Sequence, residues 1–398
     1  MTPGETVATS SRAEVFDVNA NSDVYYVGNY WNDLDAVNQR INRRISGDPA
    51  MRWFQHFARR TDRVFRRALI LNCGNGWVER DLAAHGLIEE AVGIDFSQAL
   101  LDEAAAAARQ QCLPLTYRQA NINSVVLPEG EYDLVVNHAA AHHITALDRV
   151  FRQVSRALPE DGWFVSFDYV GPHRNQYRLD AWEEACRVNR ELPPFLRQEL
   201  EYPSVTAMVQ IDPTEAVHSE LIIETFRRYF IEHEYAALGG AVAYPLMTHN
   251  ARLFAAPADA RRERWIERIL SVDDQFLEEH PESTLFAYFA GTPDKSVLRD
   301  TARLAVWEAE EEEREARAVA GGGEYYERGP LAQALIERDR EHLEAEGLRT
   351  QLALARAEVE ALRSSPMYAA MRRMLDSGVV RRARAMPLVR SLEQRARR

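Results

Sequence analysis

The sequence lacks the features that mark secreted, membrane-spanning and nucleic-acid-binding proteins. Its 398 residues include only three cysteines, Cys73, Cys112 and Cys186, which form no C-x-x-C pair and cannot build a disulfide framework. No apolar run approaches the roughly 20 residues of a transmembrane helix, and residues 1–22 lack the basic and apolar parts of a secretory signal. A net charge of −13 disfavours nucleic acid, because phosphate contacts need positive surface. We therefore expect a cytoplasmic protein that binds no nucleic acid.

The composition is that of a globular protein with a sizeable core. Hydrophobic residues make up 46% of the chain and charged residues 27%. The basic charge is unevenly distributed, because residues 364–398 hold nine arginines against Asp376 and Glu393, a net of +7. The preceding residues therefore carry the remaining −20 of the total of −13.

Apolar runs alternate with helical patterns in the first half of the chain. The predicted strands are 68–72, 91–95, 115–120, 132–137 and 163–169, and the predicted helices are 77–85, 97–110 and 146–158. Such alternation predicts an α/β domain whose parallel sheet is covered by helices on both faces.

Composition divides the chain into five segments. Residues 1–60 form a leader and a helical cap, and residues 61–170 form the α/β core. Residues 171–300 complete the domain and cap the carboxyl edge of the sheet, where a substrate would bind. Residues 301–329 are an acidic and glycine-rich linker, and residues 330–398 are a helical tail.

The tail contains a short apolar repeat followed by a basic end. Apolar residues in this stretch are spaced 3-4-3-4-3, which favours a coiled coil over a lone helix that packs on its own domain. A coiled coil would pair copies of the chain into a homo-oligomer through residues 345–362. The apolar residues are Ala345, Leu348, Leu352, Ala355, Val359 and Leu362. The arginines that follow alternate with apolar residues, which favours contact with an anionic membrane surface or a protein partner. Docking on the acidic body of the same chain is the alternative.

The strongest signal is the turn after the first strand, Asn72-Cys73-Gly74-Asn75-Gly76. A strand, a tight glycine turn and a helix place backbone N–H groups where a polar ligand can approach closely. Asp95 ends the second strand 19 residues after Gly76, where an acidic residue typically accepts hydrogen bonds from ribose hydroxyls. The pattern predicts a nucleoside site. The alternative is that the glycines belong to an ordinary loop and that Asp95 is a surface residue without a ligand.

These residues resemble the first motif of class I S-adenosylmethionine-dependent methyltransferases, with a match over about residues 60–170. The first strand of that family ends in acidic-x-Gly-x-Gly-x-Gly, which here reads Ile70-Leu71-Asn72-Cys73-Gly74-Asn75-Gly76. The resemblance implies a doubly wound, Rossmann-like, mostly parallel seven-stranded sheet and S-adenosylmethionine as cofactor. The family's acid usually helps hold the methionine amino group, so with Ile70 in its place that contact must come from elsewhere or be weaker.

The resemblance also implies which residues bind the cofactor beyond the glycine turn. Asn121 takes the position of an acid that bonds the adenine amino group, and its amide oxygen can accept the same hydrogen bond. Ile122 would pack against the adenine face, and Phe96 and His138 complete the predicted site. The absence of a third spaced glycine disfavours the nearest competitor, a dinucleotide-dependent dehydrogenase.

The loop 137–144 contains two adjacent histidines, His142 and His143. In the family this loop lies over the sulfonium and faces the methyl acceptor, so either histidine is a candidate general base. The alternative is that both cap the helix that begins near Thr145. No third ligand has recognisable spacing, so no metal ligand is assigned.

The segment 169–177 resembles a narrower methyltransferase subgroup with a Tyr-Val-Gly-Pro-x-Arg-x-Gln signature, as do residues 211–219 and the pair Gly239-Gly240. Members of that subgroup often accompany sugar-transfer enzymes in glycan assembly, which implies a sugar or glycan acceptor. The residues expected to contact it are Tyr169, Arg174, Gln176, Asp212, Glu215 and His218. Residues 212–215 also fit the capped start of a helix, and a divalent ion on the two acidic residues of that stretch is a further alternative.

The sequence thus predicts a methyltransferase that modifies a sugar of a glycan or glycan precursor. The basic tail would place it at the inner membrane face or beside a glycan-assembly protein. O- and N-methylation both stay open. Two alternatives are methylation of a small natural product and an inactive cofactor-binding scaffold that acts through its helical tail.

Overall fold

The computed structural model describes residues 28–205, 207–208, 212–255 and 259–320, together with Leu352. The predicted leader 1–22, the glycine stretch 321–323, the coiled coil and the basic end therefore lie outside the described residues, Leu352 excepted. The description below concerns the first of the chain's two compact units, residues 1–327.

Seven strands form one sheet in the order β3-β2-β1-β4-β5-β7-β6. They are β1 Phe65–Leu71, β2 Ile88–Asp95, β3 Leu115–Gln119, β4 Leu134–His138, β5 Trp163–Tyr169, β6 Phe230–Gly239 and β7 Phe286–Pro293. The first five run parallel, as predicted. Strand β7 pairs antiparallel with both β5 and β6, so the sheet is mixed rather than purely parallel.

Ten helices accompany the sheet within the described residues. They are α1 Asp35–Ser46, α2 Trp53–Thr61, α3 Trp77–Ala84, α4 Gln98–Gln110, α5 Leu147–Ala157, α6 Leu179–Glu191, α7 Ile222–Tyr229, α8 Ala243–Met247, α9 Ala260–Glu279 and α10 Thr301–Ala320. No helix of this described part is long and apolar enough to cross a membrane.

The sheet is covered on both faces, which explains the unbroken apolar runs of its central strands. On β1, Ile70 packs in one buried apolar cluster and its neighbours Leu69 and Leu71 pack in the other. Strand β4 alternates in the same way, with Val136 in the first cluster and Val135 in the second. The two cores fix the direction in which the loops at the carboxyl edge leave the sheet.

A buried ion pair ties the amino-terminal helices to the second half of the chain. Arg40 of α1 lies 2.6 Å from Asp273 of α9, and both side chains are buried. The Asp273 carboxylate also accepts the backbone N–H groups of Gly240 and Val242 at 2.8 and 2.7 Å. The helical cap and the segment after β6 are therefore held as one body with the sheet.

The structure corrects the predicted linker over residues 301–320, which form helix α10. Its glutamate run is not wholly solvated, because Glu311 is buried. The carboxylate of Glu311 accepts the N–H groups of Asp148 and Arg149 at 2.8 and 3.1 Å and thereby caps the first turn of α5. The acidic composition that indicated a linker reflects one capping side chain and an exposed helix face.

Candidate functional site

The glycine turn joins β1 to α3 in a conformation that needs glycine. Asn72, Gly74 and Gly76 have positive φ values of 44°, 55° and 75°. A Cβ atom on Gly76 would lie 2.6 Å from the hydroxyl oxygen of Tyr117, so no larger residue fits there. The turn therefore presents bare backbone at the amino terminus of a helix.

Asp95 braces this turn from the end of β2. One carboxylate oxygen accepts the N–H of Gly74 at 2.8 Å, and the other accepts the N–H of Ser97 at 2.8 Å. Burial raises the pKa of Asp95, and these N–H groups oppose the rise by stabilising the charged form. Each carboxylate oxygen can accept a further hydrogen bond, so the predicted ribose contact is compatible with this arrangement.

The side chains expected around adenine lie beside Asp95. Phe96 follows it directly and is 41% exposed, which leaves its ring accessible for stacking. Ile122 is buried, and the Asn121 side-chain oxygen accepts the N–H of Asn123 at 2.9 Å. That oxygen thus stabilises a local turn, and its contact with adenine stays a prediction.

His138 ends β4 inside an aromatic enclosure. Its ring stacks on Trp53 and Phe167 at centroid distances of 5.8 and 5.1 Å, and the ring of Trp77 meets it edge-on at 4.8 Å. Burial lowers the pKa of His138 to about 4, so this imidazole is neutral at physiological pH. Its ring packs beside Trp77, the first residue of α3, and its predicted contact with the cofactor stays a prediction.

The predicted histidines occupy a 3-10 turn, Ala141–His143, immediately after β4. His142 is buried, and its Nδ1 lies 2.6 Å from a carboxylate oxygen of Asp168 on β5. The other Asp168 oxygen accepts the N–H groups of Ala140 and Ala141 at 3.0 and 2.7 Å. Asp168 therefore fixes both the ring of His142 and the backbone that carries it.

His143 is oriented by a hydroxyl relay. The Thr214 hydroxyl lies 2.6 Å from a carboxylate oxygen of Asp212 and 3.1 Å from Nδ1 of His143. Because the hydroxyl gives its single proton to Asp212, we assign its oxygen as the acceptor from Nδ1–H of His143. This assignment places the lone pair of His143 on Nε2.

The two rings converge on Glu215. Nε2 of His142 and Nε2 of His143 each lie 3.7 Å from the same carboxylate oxygen of Glu215, and the ring centroids are 4.2 Å apart. Three ionisable side chains therefore surround one point beside the sheet edge, an arrangement that can bind and deprotonate an acceptor.

The pKa values of the two histidines are pushed in opposite directions. Burial alone would lower the pKa of His142, but the charges of Asp168, Glu215 and Asp212 outweigh it and raise that pKa to about 9. Burial lowers the pKa of His143, and the charge on His142 lowers it further. At neutral pH His142 is thus the imidazolium and His143 the neutral imidazole.

Tyrosines surround the approach to Glu215. Burial raises the pKa values of Tyr169, Tyr177 and Tyr244, and the nearby charge of Glu215 contributes to each rise. The ring of Tyr169 also meets the ring of His142 at 6.2 Å in an edge-on contact. The predicted substrate residues Tyr169 and Glu215 therefore lie with the histidines beside one cluster of aromatic residues.

The other predicted substrate residues hold the loop that carries Glu215. Arg174 is buried and donates to the backbone oxygens of Pro213 and Glu215 at 2.6 and 2.7 Å. Gln176 donates to the backbone oxygens of Arg174 and Pro203 at 2.9 and 3.0 Å. Residues 213–216 form turns and not the start of a helix.

His218 is buried near His173, at a ring centroid distance of 6.4 Å. Direct contact of His218, Arg174 or Gln176 with an acceptor stays a prediction.

Two groups within the described residues could hold a metal ion, although the sequence assigned none. His142, His143 and Glu215 form the first, and His173, His218 and Glu220 form the second, each with ligand atoms within 4.8 Å of one another. Glu215 follows the histidines by more than 70 residues, so linear spacing could not have paired them.

Asp168 and Thr214 are the site residues that sequence reasoning missed. Asp168 lies within a strand whose other residues, apart from Trp163, are buried, and its role depends on β5 pairing with β4. A charged residue inside an apolar strand was the one available signal, because such a residue is rarely buried without a partner.

The comparisons with known proteins agree with this fold. A family model described as a methyltransferase domain matches residues 69–166. The uncharacterized methyltransferase YcgJ of Bacillus subtilis is 26% identical over 104 residues, which cover 26% of this chain and 41% of that protein. A malonyl-[acyl-carrier protein] O-methyltransferase of Legionella pneumophila is 30% identical over 121 residues, covering 30% of this chain and 42% of the relative.

Among solved structures, an S-adenosylmethionine-dependent methyltransferase from Mesorhizobium loti is similar over 60% of this chain and 96% of its own, with 19% identity and a TM-score of 0.37. The chain spans less than half the length of the two curated relatives. The family match covers both the glycine turn and Asp95, the residues predicted to form the nucleoside site. The match over residues 69–166 is to a methyltransferase domain, and it supports S-adenosylmethionine as the cofactor.

Proposed function

We propose that the protein transfers the methyl group of S-adenosylmethionine to a hydroxyl group bound between His142, His143 and Glu215. The observation that carries the proposal is the convergence of the two Nε2 atoms on one oxygen of Glu215. The environment separates the pKa values of the two histidines, so each has its own role.

In this mechanism His143 is the general base. Its neutral ring carries a lone pair on Nε2, and the hydroxyl proton of the acceptor passes to that atom as the oxygen attacks the methyl carbon. The bond between methyl carbon and sulfur breaks, its electron pair stays on sulfur, and S-adenosylhomocysteine leaves. Such a base typically contributes about 10²- to 10⁴-fold to the rate.

His142 acts as a fixed positive charge. Its proton on Nδ1 is held by Asp168 at 2.6 Å, so Nε2–H is available to donate to the acceptor oxygen. A preorganised donor of this kind stabilises negative charge that develops on oxygen. The positive charge on His142 also keeps its neighbour His143 neutral.

The acceptor we propose is a sugar of a glycan or glycan precursor. Tyr169, Tyr177 and Tyr244 supply rings and hydroxyls of the kind that contact sugar faces, and Glu215 supplies a carboxylate for sugar hydroxyls. The resemblance of residues 169–177 to the glycan-associated subgroup supports the same choice. A small natural product is the second candidate, because an aromatic pocket also fits a planar acceptor.

The test is release of S-adenosylhomocysteine in the presence of nucleotide sugars, glycan acceptors and phenolic natural products. Turnover with a sugar acceptor that is lost in His143→Gln and kept in His233→Gln would support the proposal, since His233 is an exposed histidine of β6. Turnover only with phenolic acceptors would favour the natural-product alternative. Cofactor binding without turnover on any acceptor would favour the inactive scaffold.

The basic tail and the apolar repeat lead to a second proposal, which concerns location and assembly. We propose that residues 364–398 attach the enzyme to an anionic membrane surface or a glycan-assembly partner, and that residues 345–362 pair two copies. Flotation with anionic liposomes and sedimentation of the full chain and of a chain ending at Gly329 test both ideas. Equal flotation and an equal number of chains per particle for the two proteins would contradict them.

A further inference from the structure

A second buried acid lies directly beneath the glycine turn. Glu79 is the third residue of α3, and its side chain is fully buried. A Cβ atom built on Gly76 would be 2.8 Å from a carboxylate oxygen of Glu79 and 2.6 Å from the hydroxyl of Tyr117. Both groups therefore lie against the turn that receives the cofactor.

The same face of the sheet carries no acid on β1. Ile70 pairs with Gly93 on β2, and Gly93 pairs with Tyr117 on β3, so these three residues form one row across the sheet. Ile70 is buried among apolar side chains. Gly93 has no side chain, and the Cys73 sulfur and the Tyr117 ring lie 2.7 and 2.8 Å from where its Cβ atom would be.

The surroundings of Glu79 contain little positive charge. The titratable groups that face it are Cys73 of the turn, Asp95 of β2, Tyr117 of β3 and Arg80 of its own helix. Arg80 donates to the backbone oxygen of Asn75 at 2.5 Å, and within the described part of the chain no ion pair of Glu79 is found. A carboxylate buried in this way is costly unless a cation is nearby.

The cofactor brings that cation to the turn. S-adenosylmethionine carries an ammonium and a sulfonium against one carboxylate, a net charge of +1, so a negative group of the protein can pair with its ammonium. Both oxygens of Asp95 already accept backbone N–H groups. Glu79 is the other buried acid beside the turn, and no role in the cofactor site has been assigned to its carboxylate so far.

We infer that Glu79 supplies, from helix α3, the negative charge that strand β1 lacks, and that it releases its proton to solvent when the amino-acid end of the cofactor binds above the turn. Burial raises the pKa of Glu79 to about 7, and a backbone hydrogen bond, the Tyr117 hydroxyl and the charge of Arg80 oppose this rise, in decreasing order. A large share of the free protein therefore holds Glu79 protonated at neutral pH, and a nearby ammonium shifts it to the charged form. Glu79 is a positioning residue in this account.

Calorimetry with two ligands at pH 7 tests the inference. S-adenosylhomocysteine has the ammonium, whereas 5′-methylthioadenosine keeps the nucleoside and lacks the amino-acid end. Glu79→Gln is expected to weaken the binding of S-adenosylhomocysteine about tenfold, the usual effect of losing one hydrogen bond to a charged group. The affinity for 5′-methylthioadenosine should be unchanged. Titration in buffers of different ionisation enthalpy should reveal proton release by the wild type that is absent in Glu79→Gln.

Glu311→Gln is the matched control, because Glu311 is also buried with its pKa raised to about 7 but caps α5 instead. It should keep the affinity for S-adenosylhomocysteine and the proton release. If Glu79→Gln weakened the binding of both ligands equally, Glu79 would have only a packing role and the inference would be overturned. Unchanged affinity and proton release in that variant would overturn it too, while leaving the methyltransferase proposal intact. Failure of the wild type to bind either ligand would overturn both.

Discussion

Asp168 and His142 form a hydrogen bond of 2.6 Å between adjacent parallel strands, with the carboxylate at the end of β5 and the imidazole just beyond β4. Burial would raise the pKa of Asp168, but the charge of His142 and the hydrogen bonds to the carboxylate lower it. The pair is thus charged at neutral pH. That charge separates the roles of His142 and His143.

Removing the base should abolish most turnover without affecting the cofactor. His143→Gln keeps a side chain that can bond Thr214 but has no lone pair of suitable basicity on the acceptor side. We expect kcat to fall about 10²- to 10⁴-fold, with S-adenosylhomocysteine affinity unchanged by calorimetry. A variant that retains wild-type kcat would exclude His143 as the base.

The rate should depend on pH through both histidines. Activity rises with pH as His143 loses its proton, at a pKa below its ordinary value of about 6.5. It falls above about 9, where His142 loses the proton that stabilises the acceptor oxygen. The two limbs belong to the coupled pair, and His142→Gln should remove the alkaline limb.

Asp168→Asn should move the alkaline limb to lower pH, because the largest charge that raises the pKa of His142 is lost. The measurement is the pH profile of kcat. An alkaline limb at the same pH in Asp168→Asn and the wild type would contradict the assignment of His142 as the charged partner.

Zinc should inhibit by occupying the atoms that the reaction needs. His142, His143 and Glu215 offer ligand atoms within 4.8 Å of one another, and zinc prefers such nitrogen and oxygen ligands. Inhibition should compete with the acceptor and weaken in Glu215→Gln. Chelation of metals with EDTA should leave the rate unchanged, and loss of activity on chelation would instead make a bound metal part of the mechanism.

Substitution of Gly76 should disrupt the cofactor turn. Its φ of +75° and the 2.6 Å approach of the Tyr117 hydroxyl exclude a Cβ atom. Gly86→Ala is the matched control, since Gly86 has a φ of +69° and nothing within 4 Å of its Cβ position. Gly86→Ala should lower the free energy of unfolding by about 1–2 kcal/mol through backbone strain. Gly76→Ala should lower it further and also weaken the binding of S-adenosylhomocysteine. Equal effects of the two substitutions would contradict the account.

The sequence allowed prediction of the parts of the site that local spacing determines. The turn after β1, Asp95 at the end of β2 and Ser97 as the cap of α4 all follow from strand–turn–helix patterns, and Ser97 indeed accepts the N–H of Leu100 at 3.4 Å. The parallel order of five strands follows from the same alternation. The antiparallel β7 does not, because it returns after a long segment without periodic pattern.

The acceptor side depends on contacts between distant residues, which spacing cannot reveal. Asp168 meets His142 only because β5 pairs with β4, and Glu215 reaches both histidines from the loop that Arg174 holds. The acidic run in α10 was misinterpreted for the same reason. Its buried Glu311 finds its partners on α5, more than 160 residues earlier in the chain.

The most direct test of the account is calorimetric titration of S-adenosylmethionine and S-adenosylhomocysteine into the wild type and Asp95→Ala. The account predicts micromolar binding by the wild type and loss of binding in a folded Asp95→Ala, because Asp95 braces the turn and is the residue predicted to bind the ribose. Absence of binding by the folded wild type would contradict it. In that case Ile70 and Asn72 would have disabled the pocket, and the scaffold alternative would take its place.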